Sequence, residues 1–141
     1  MKYVLDASVA LKWVLPEPDS QKALALRDSF QHKVDELIAP SFFPMECGYS
    51  LFRAQNKRLI VPGQPRTLLT SIMVHCPALK SVTHLLPRAV EITERHGVGF
   101  YDSFYIALAE AEACDLVTAD AKLVRALKST FPFVVEFGTL P

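Results

Sequence analysis

Three short runs with no polar alternation, Tyr3-Val4-Leu5, Leu37-Ile38-Ala39 and Leu116-Val117-Thr118, punctuate the chain, and each is followed by a segment with helical spacing. A strand that alternates polar and apolar residues can leave one face in water; a strand that does not must be covered on both. Strands of that kind separated by helices are joined by crossovers. The pattern therefore predicts a short parallel sheet with helices on both faces, a three-layer α/β/α sandwich. The 141 residues suit a single domain, 1–141, which at that size buries roughly two thirds of its unfolded surface.

Taken in order, Ser8 precedes Val9, Ala10, Leu11 and Trp13 and is placed to cap a first helix ending near Pro16, since Glu17-Pro18 forces an extended or turn conformation. Asp19 or Ser20 caps a second helix whose apolar positions are Ala23, Leu26 and Phe30. Ser41 opens a third, with Pro44 in its first turn, running to about Lys57. Helices follow at Arg66 to Val74 and Thr83 to His96, the latter ended by Gly97, and at Phe100 to Cys114 and Lys122 to Lys128. Ala78 to Val82 is a short strand or a plain connection, and Phe133 to Phe137 a final strand.

Half of the residues are hydrophobic and the formal charge is zero, which excludes wholesale disorder. The zero hides an asymmetry. Residues 51–100 carry Arg53, Lys57, Arg58, Arg66, Lys80, Arg88 and Arg95 against Glu91 and Glu94 alone, so a basic middle lies between acidic ends. Three scattered cysteines, Cys47, Cys76 and Cys114, suggest neither a disulfide framework nor a zinc site. A reducing, cytoplasmic setting is expected, with no signal segment and no run near the roughly 20 apolar residues a bilayer requires. The four histidines lack the i, i+4 spacing of a helical zinc site, and neither a phosphate loop nor a nucleophile elbow is present.

Four acids stand where chemistry collects in such a fold. Asp6 and Asp120 lie just past the carboxyl ends of the first and fourth strands, and Glu46 and Asp102 lie in early helical turns. Helices that follow strands begin near the same edge, so the four can converge. Each has a structural reading as well: caps for Asp6 and Asp120, favourable first-turn charges for Glu46 and Asp102. Converging carboxylates repel, raise one another's pKa values and destabilise a fold unless a cation neutralises them. Hard oxygen donors suit Mg²⁺ or Mn²⁺, ions that activate water and offset charge on a phosphodiester. Asp115 precedes the strand that Asp120 follows and belongs at the opposite edge.

Four stretches in order carry a resemblance to a known family: Val-Leu-Asp-Ala-Ser at 4–8, Pro-Met-Glu-Cys-Gly-Tyr-Ser-Leu around Glu46, Tyr-Asp-Ser-Phe-Tyr-Ile-Ala-Leu-Ala-Glu at 101–110, and Leu-Val-Thr-Ala-Asp-Ala-Lys-Leu at 116–123. Over nearly its whole length the chain resembles the PIN-domain proteins, most closely the toxins of VapBC toxin–antitoxin systems. The resemblance implies a PIN-like sandwich, Mg²⁺- or Mn²⁺-dependent ribonuclease activity, a homodimer, and inhibition by a cognate antitoxin. It implies that Asp6, Glu46, Asp102 and Asp120 hold metal, with Ser8 and Thr118 as supporting hydroxyls. Relatives often carry asparagine one turn after the glutamate, where this chain has Ser50.

For an RNA substrate, Lys12, Arg53, Lys57, Arg58, Arg88 and Arg95 are candidates to hold the backbone, and Trp13, Phe43, Tyr101 or Tyr105 to stack an unpaired base. Trp13, Leu26 and Phe43, if exposed, would offer an amphipathic antitoxin segment a groove. A second class of reading is a catalytically silent PIN-like module that acts by protein binding. Retention of all four acids argues against it, because a silent module has no need of mutually repelling carboxylates.

Overall fold

The strands come first because they set the edge on which everything else sits. In the computed structural model, which describes residues 1–140, five strands form one wholly parallel sheet: β1 (Lys2–Leu5), β2 (Glu36–Pro40), β3 (Ala78–Lys80), β4 (Asp115–Thr118) and β5 (Val134–Glu136). Their order across the sheet is β3-β2-β1-β4-β5, with Val4 in register with Ile38 on one side and Leu116 on the other. The order reverses between β1 and β4. In open α/β sheets ligands bind at such a reversal, outside the carboxyl ends of the strands.

Absence of alternation in the strands has the predicted consequence. Tyr3, Leu5, Leu37, Ala39 and Val117 enter a core shared with α1 (Ala7–Leu11), α2 (Ser20–Gln31), α3 (Phe43–Asn56) and α4 (Gln64–Val74). Val4, Ile38, Leu116 and Val134 enter a second core with α5 (Leu86–His96), α6 (Phe100–Ala111) and α7 (Ala121–Leu127). The result is the three-layer α/β/α arrangement. Leu5, Leu37 and Ile38 are wholly buried, and burying such a side chain contributes roughly 1.5–3 kcal/mol.

Several boundaries differ from the sequence reading. Ser8 does not cap α1; Asp6 occupies the N-cap position, and the Ser8 hydroxyl is taken up by the Asp6 carboxylate and the Ala119 N–H. The first helix ends at Leu11, well before Pro16. Beyond it Trp13 and Val14 make three-residue turn bonds to Ala10 and Leu11, and the Trp13 indole donates to the Ala23 carbonyl at 2.9 Å, tying this turn to α2. The segment 83–96 divides into a 3-10 turn, Thr83–Leu85, and α5, whose first turn holds Pro87. Gly97 ends α5 in the left-handed region (φ 66°). Helix α6 stops at Ala111 rather than Cys114, because Ala113 turns left-handed (φ 51°) and the Cys114 N–H reaches back to Ala109.

Candidate active site

The start of the site follows from β1 ending at an acid. Extended backbone carries Asp6 out of the sheet, its N–H bound to the Val117 carbonyl at 3.0 Å, so the carboxylate stands at the β1/β4 reversal. Its Oδ2 accepts the Ser8 hydroxyl at 2.5 Å and the Thr118 hydroxyl at 2.9 Å. Those hydroxyls are fixed in turn: the Ala119 N–H donates to Ser8 Oγ at 3.0 Å and the Asp120 N–H to Thr118 Oγ1 at 3.1 Å. Thr118, 110 positions from Ser8 and 112 from Asp6, meets both there because β4 lies beside β1.

Asp120 caps α7, its Oδ1 accepting the Leu123 N–H at 3.0 Å. Asp102 and Glu46 enter from the first turns of α6 and α3. The acids sense one another. Burial pushes Asp102 up to about 6, and Asp6 and Asp120 push it the same way. Burial raises Glu46, with Asp6 and Asp102 adding to the rise and the Tyr105 hydroxyl opposing it. Asp6 is raised by burial against the pull of Ser8, Thr118 and the Ala7 N–H, and Asp120 raises it further. None of the four has a Lys, Arg or His partner among the described residues.

This all-oxygen set of uncompensated carboxylates, with Asp6, Glu46 and Asp102 raised, fits a hard divalent cation in donor chemistry. As the side chains stand, no three acidic, His or Cys groups among the described residues are gathered tightly enough to chelate an ion. Asp6, Glu46 and Asp102 act on one another, and Asp120 on Asp6 and Asp102, without closing to chelating distance.

The remaining residues singled out from sequence are placed more variously. Arg53 on α3 and Lys57 at its C-cap are exposed, downstream of Glu46, and neither is in an ion pair among the described residues. Helical rise puts Arg53 roughly 10 Å from Glu46 along the axis. Lys12 is committed to the turn after α1, bonding the Pro18 carbonyl at 2.9 Å and Glu17 at 3.3 Å, with Nζ over the Phe137 ring. Arg88 lies at the other end of the molecule, where it grips Glu110 through two nitrogens at 2.7 and 2.9 Å and Glu91 at 2.8 Å. It is the α5 residue that meets the far end of α6, away from Asp102. Arg95 pairs with Glu91.

Trp13, Leu26 and Phe43 are buried, so the groove expected from their exposure does not form. Each belongs to the core between the sheet and α1–α4. Of the four aromatics offered as base-stacking residues only Tyr101 is exposed, at 56%. It borders an open cleft of about 490 Å³ that Phe42, Met45, Glu46, Tyr49 and Ser50 also line.

Two residues escaped the sequence reading in their actual roles. Gly99 caps α6, and a Cβ there would lie 3.0 Å from Asp102 Oδ2, so a larger residue would press that carboxylate aside by a few tenths of an ångström. Tyr105 is 1% exposed and faces Glu46 rather than solvent. Its spacing of three residues from Asp102 was the available signal, since i and i+3 share a helix face.

Relatives and neighbours of known structure agree with one another. The chain is 29% identical to Ribonuclease VapC3 of Pyrobaculum aerophilum over 137 residues, covering 96% of this chain and 98% of the relative. It is 34% identical to Ribonuclease VapC1 of Mycobacterium tuberculosis over 108 residues, 74% of this chain and 76% of that one. Among solved structures it is similar to PAE2754 of Pyrobaculum aerophilum, with a TM-score of 0.69 at 20% identity over 99% of this chain and 91% of that one. VapBC2 of Rickettsia felis, solved bound to a DNA fragment from their promoter, gives 0.66 at 18% identity over 96% and 97%. The PIN domain model matches residues 3–128, and with that match spanning both halves of the sheet and all four acids, the chain belongs to the PIN domain family.

Proposed function

We propose that this chain is a metal-dependent endoribonuclease, the toxin of a type II toxin–antitoxin pair, and that residues 1–141 work as one domain. The observation that carries the reading is the uncompensated set of Asp6, Glu46, Asp102 and Asp120 at the strand-order reversal, in a chain whose relatives are named Ribonuclease VapC. In this reading the four carboxylates hold Mg²⁺ or Mn²⁺ against a phosphodiester of RNA. When bound, such an ion supplies activation of water and offsets charge on the phosphate and leaving oxygens.

The protein's own contribution is placement. Ser8 and Thr118 pin Asp6 through its Oδ2, leaving Oδ1 for a ligand. Asp120 is held by its own cap, and Asp102 keeps its approach through Gly99. Neither Ser8 nor Cys47, the nucleophilic side chains beside Asp6 and Glu46, is poised to attack. The Ser8 hydroxyl is occupied on both sides, and the Cys47 thiol, next to Glu46, is buried and pushed up to about 12. Hydrolysis by water, with no covalent enzyme intermediate, is what remains. Exposed Arg53 and Lys57 offer the RNA backbone its counter-charges near the site, a role that falls to them rather than to the engaged Lys12 and Arg88.

Partners follow the same reading. Met45, Tyr49 and Phe52 form an exposed apolar stripe on α3, beside exposed Phe100 and Tyr101 at the start of α6. Helical spacing puts the three on one face, and an apolar patch of that kind marks an interaction surface. We assign it to the homodimer. The cognate antitoxin is supported by the likeness to VapBC2. The three free cysteines fit the reducing cytoplasm expected for such a pair, and among the described residues no helix is long and apolar enough to cross a membrane.

The deciding experiment incubates purified, antitoxin-free protein with total RNA in Mn²⁺, Mg²⁺ or EDTA, beside Asp6→Asn. Discrete fragments that require metal and vanish in the variant are expected. Intact RNA under every condition, with folded protein, would point instead to a silent protein-binding module.

A further inference from the structure

The hydroxyl of Tyr105 is unexplained by anything above. It is buried and meets no hydrogen-bond partner among the described residues. A phenol oxygen taken out of water without a partner is destabilising, and phenylalanine fills the same space without that cost. The position therefore uses the oxygen and not only the ring.

Packing shows where that oxygen is aimed. Tyr105 lies one turn after Asp102 on α6. Phe42, just before α3, meets the Tyr105 ring edge-on at 5.6 Å and 83°, and meets Tyr101 and Phe104 at 5.0 and 5.9 Å. This aromatic cluster packs the Tyr105 ring against the start of α3. The Phe42 carbonyl accepts the Glu46 N–H at 3.1 Å, so the residue that orients the phenol also sits one turn below the carboxylate. Glu46 and Asp6 both act on this hydroxyl, and Glu46 is the acid whose side chain it faces as a hydrogen-bond donor. The pair faces each other without meeting hydrogen-bond geometry, and Glu46, with three rotatable side-chain bonds, is the partner able to close the gap.

We infer that Tyr105 is a positioning residue: its hydroxyl donates to Glu46 and holds that carboxylate turned toward Asp6, Asp102 and Asp120 instead of toward the open cleft. A carboxylate accepts at both oxygens, so one bond from Tyr105 leaves Glu46 free to face a cation. The inference rests on the acids being a cation site. Partners that orient a ligating carboxylate contribute roughly 10- to 100-fold to metal affinity.

Tyr105→Phe removes one oxygen and keeps the ring, so the fold is retained. Two measurements test it. Calorimetric titration with Mn²⁺ alone should show affinity weakened about 10-fold or more relative to wild type. In EDTA, melting temperatures of wild type, Tyr105→Phe, Glu46→Ala and the double variant should be non-additive, the hydroxyl's effect disappearing once the carboxylate is gone. Unchanged Mn²⁺ affinity or strictly additive melting shifts overturn the role of Tyr105 while leaving the cation site standing. Wild-type protein that binds no more Mn²⁺ than Asp6→Asn overturns the cation reading itself, and the inference with it.

Discussion

The two edges of one sheet treat their acids in opposite ways. At the amino edge Asp35 meets the N-terminal ammonium at 3.3 Å, Glu112 meets Lys2 at 3.0 Å and Glu110 meets Arg88 at 2.7 Å. At the carboxyl edge Asp6, Glu46, Asp102 and Asp120 converge with no basic partner among the described residues, and Asp102 is pushed up to about 6. Exposed pairs of the first kind contribute about 0–1 kcal/mol each. Like charges gathered as in the second weaken the fold, so stability does not explain the arrangement and the cation site proposed above would.

The contrast can be broken or sharpened by experiment, beginning with the largest effect. Asp6→Asn should slow RNA cleavage on the order of 10²–10³-fold or more, by analogy with removal of a single preorganised electrostatic group. Cleavage at the wild-type rate would remove the distinction between the edges.

A second test adds the missing charge. Mn²⁺ at about 100 times its dissociation constant should stabilise the folded chain by roughly 2.7 kcal/mol, a rise of several degrees in melting temperature. Asp102→Asn should lose most of that rise. An equal rise in both proteins would mean the ion binds elsewhere.

Without metal the same variant should behave in the opposite sense. Folded Asp102 holds its proton up to about pH 6, against 3.8 ordinarily, so the folded state binds more protons than the unfolded one across that window. Stability is then greatest at and below about pH 4 as far as this group is concerned, and falls as pH rises through 6. Asp6 and Glu46, also raised, act in the same direction. In EDTA at pH 7.5, Asp102→Asn should be more stable than wild type by about 1 kcal/mol, a figure discounted for partial exposure. Urea melts at pH 5 and 7.5 measure this, and a variant destabilised at both would show that the acid is structural.

The smallest effect belongs to the other edge. Arg88→Ala should cost about 1 kcal/mol or less and leave cleavage unchanged, read from a urea melt and an RNA gel. A large loss of activity would return Arg88 to the substrate path.

Much of the fold was legible because its signals are local. Runs such as Leu37-Ile38-Ala39 announce strands covered on both faces, and Pro44 and Gly97 mark a helix start and end where the structure has them. The candidate acids were legible for the same reason, each being tied to the end of one element. Errors arose where side chains serve distant partners. Ser8 reads as a helix cap until β4 brings Thr118 and Ala119 to it. Trp13 and Phe43 read as exposable until the sheet's first core takes them in.

What the sequence determined alone was therefore the order of strands and helices and the positions of Asp6, Glu46, Asp102 and Asp120 along them. Periodicity and breaker residues act over a few neighbours, so one chain suffices to read them. Tertiary structure decided which charges are paired, which aromatics are buried, and that Tyr105 faces Glu46. Those outcomes depend on residues from 22 positions apart, as Arg88 and Glu110, to 112, as Asp6 and Thr118, being brought within a few ångströms by the packing around the strand order β3-β2-β1-β4-β5, which no local pattern encodes.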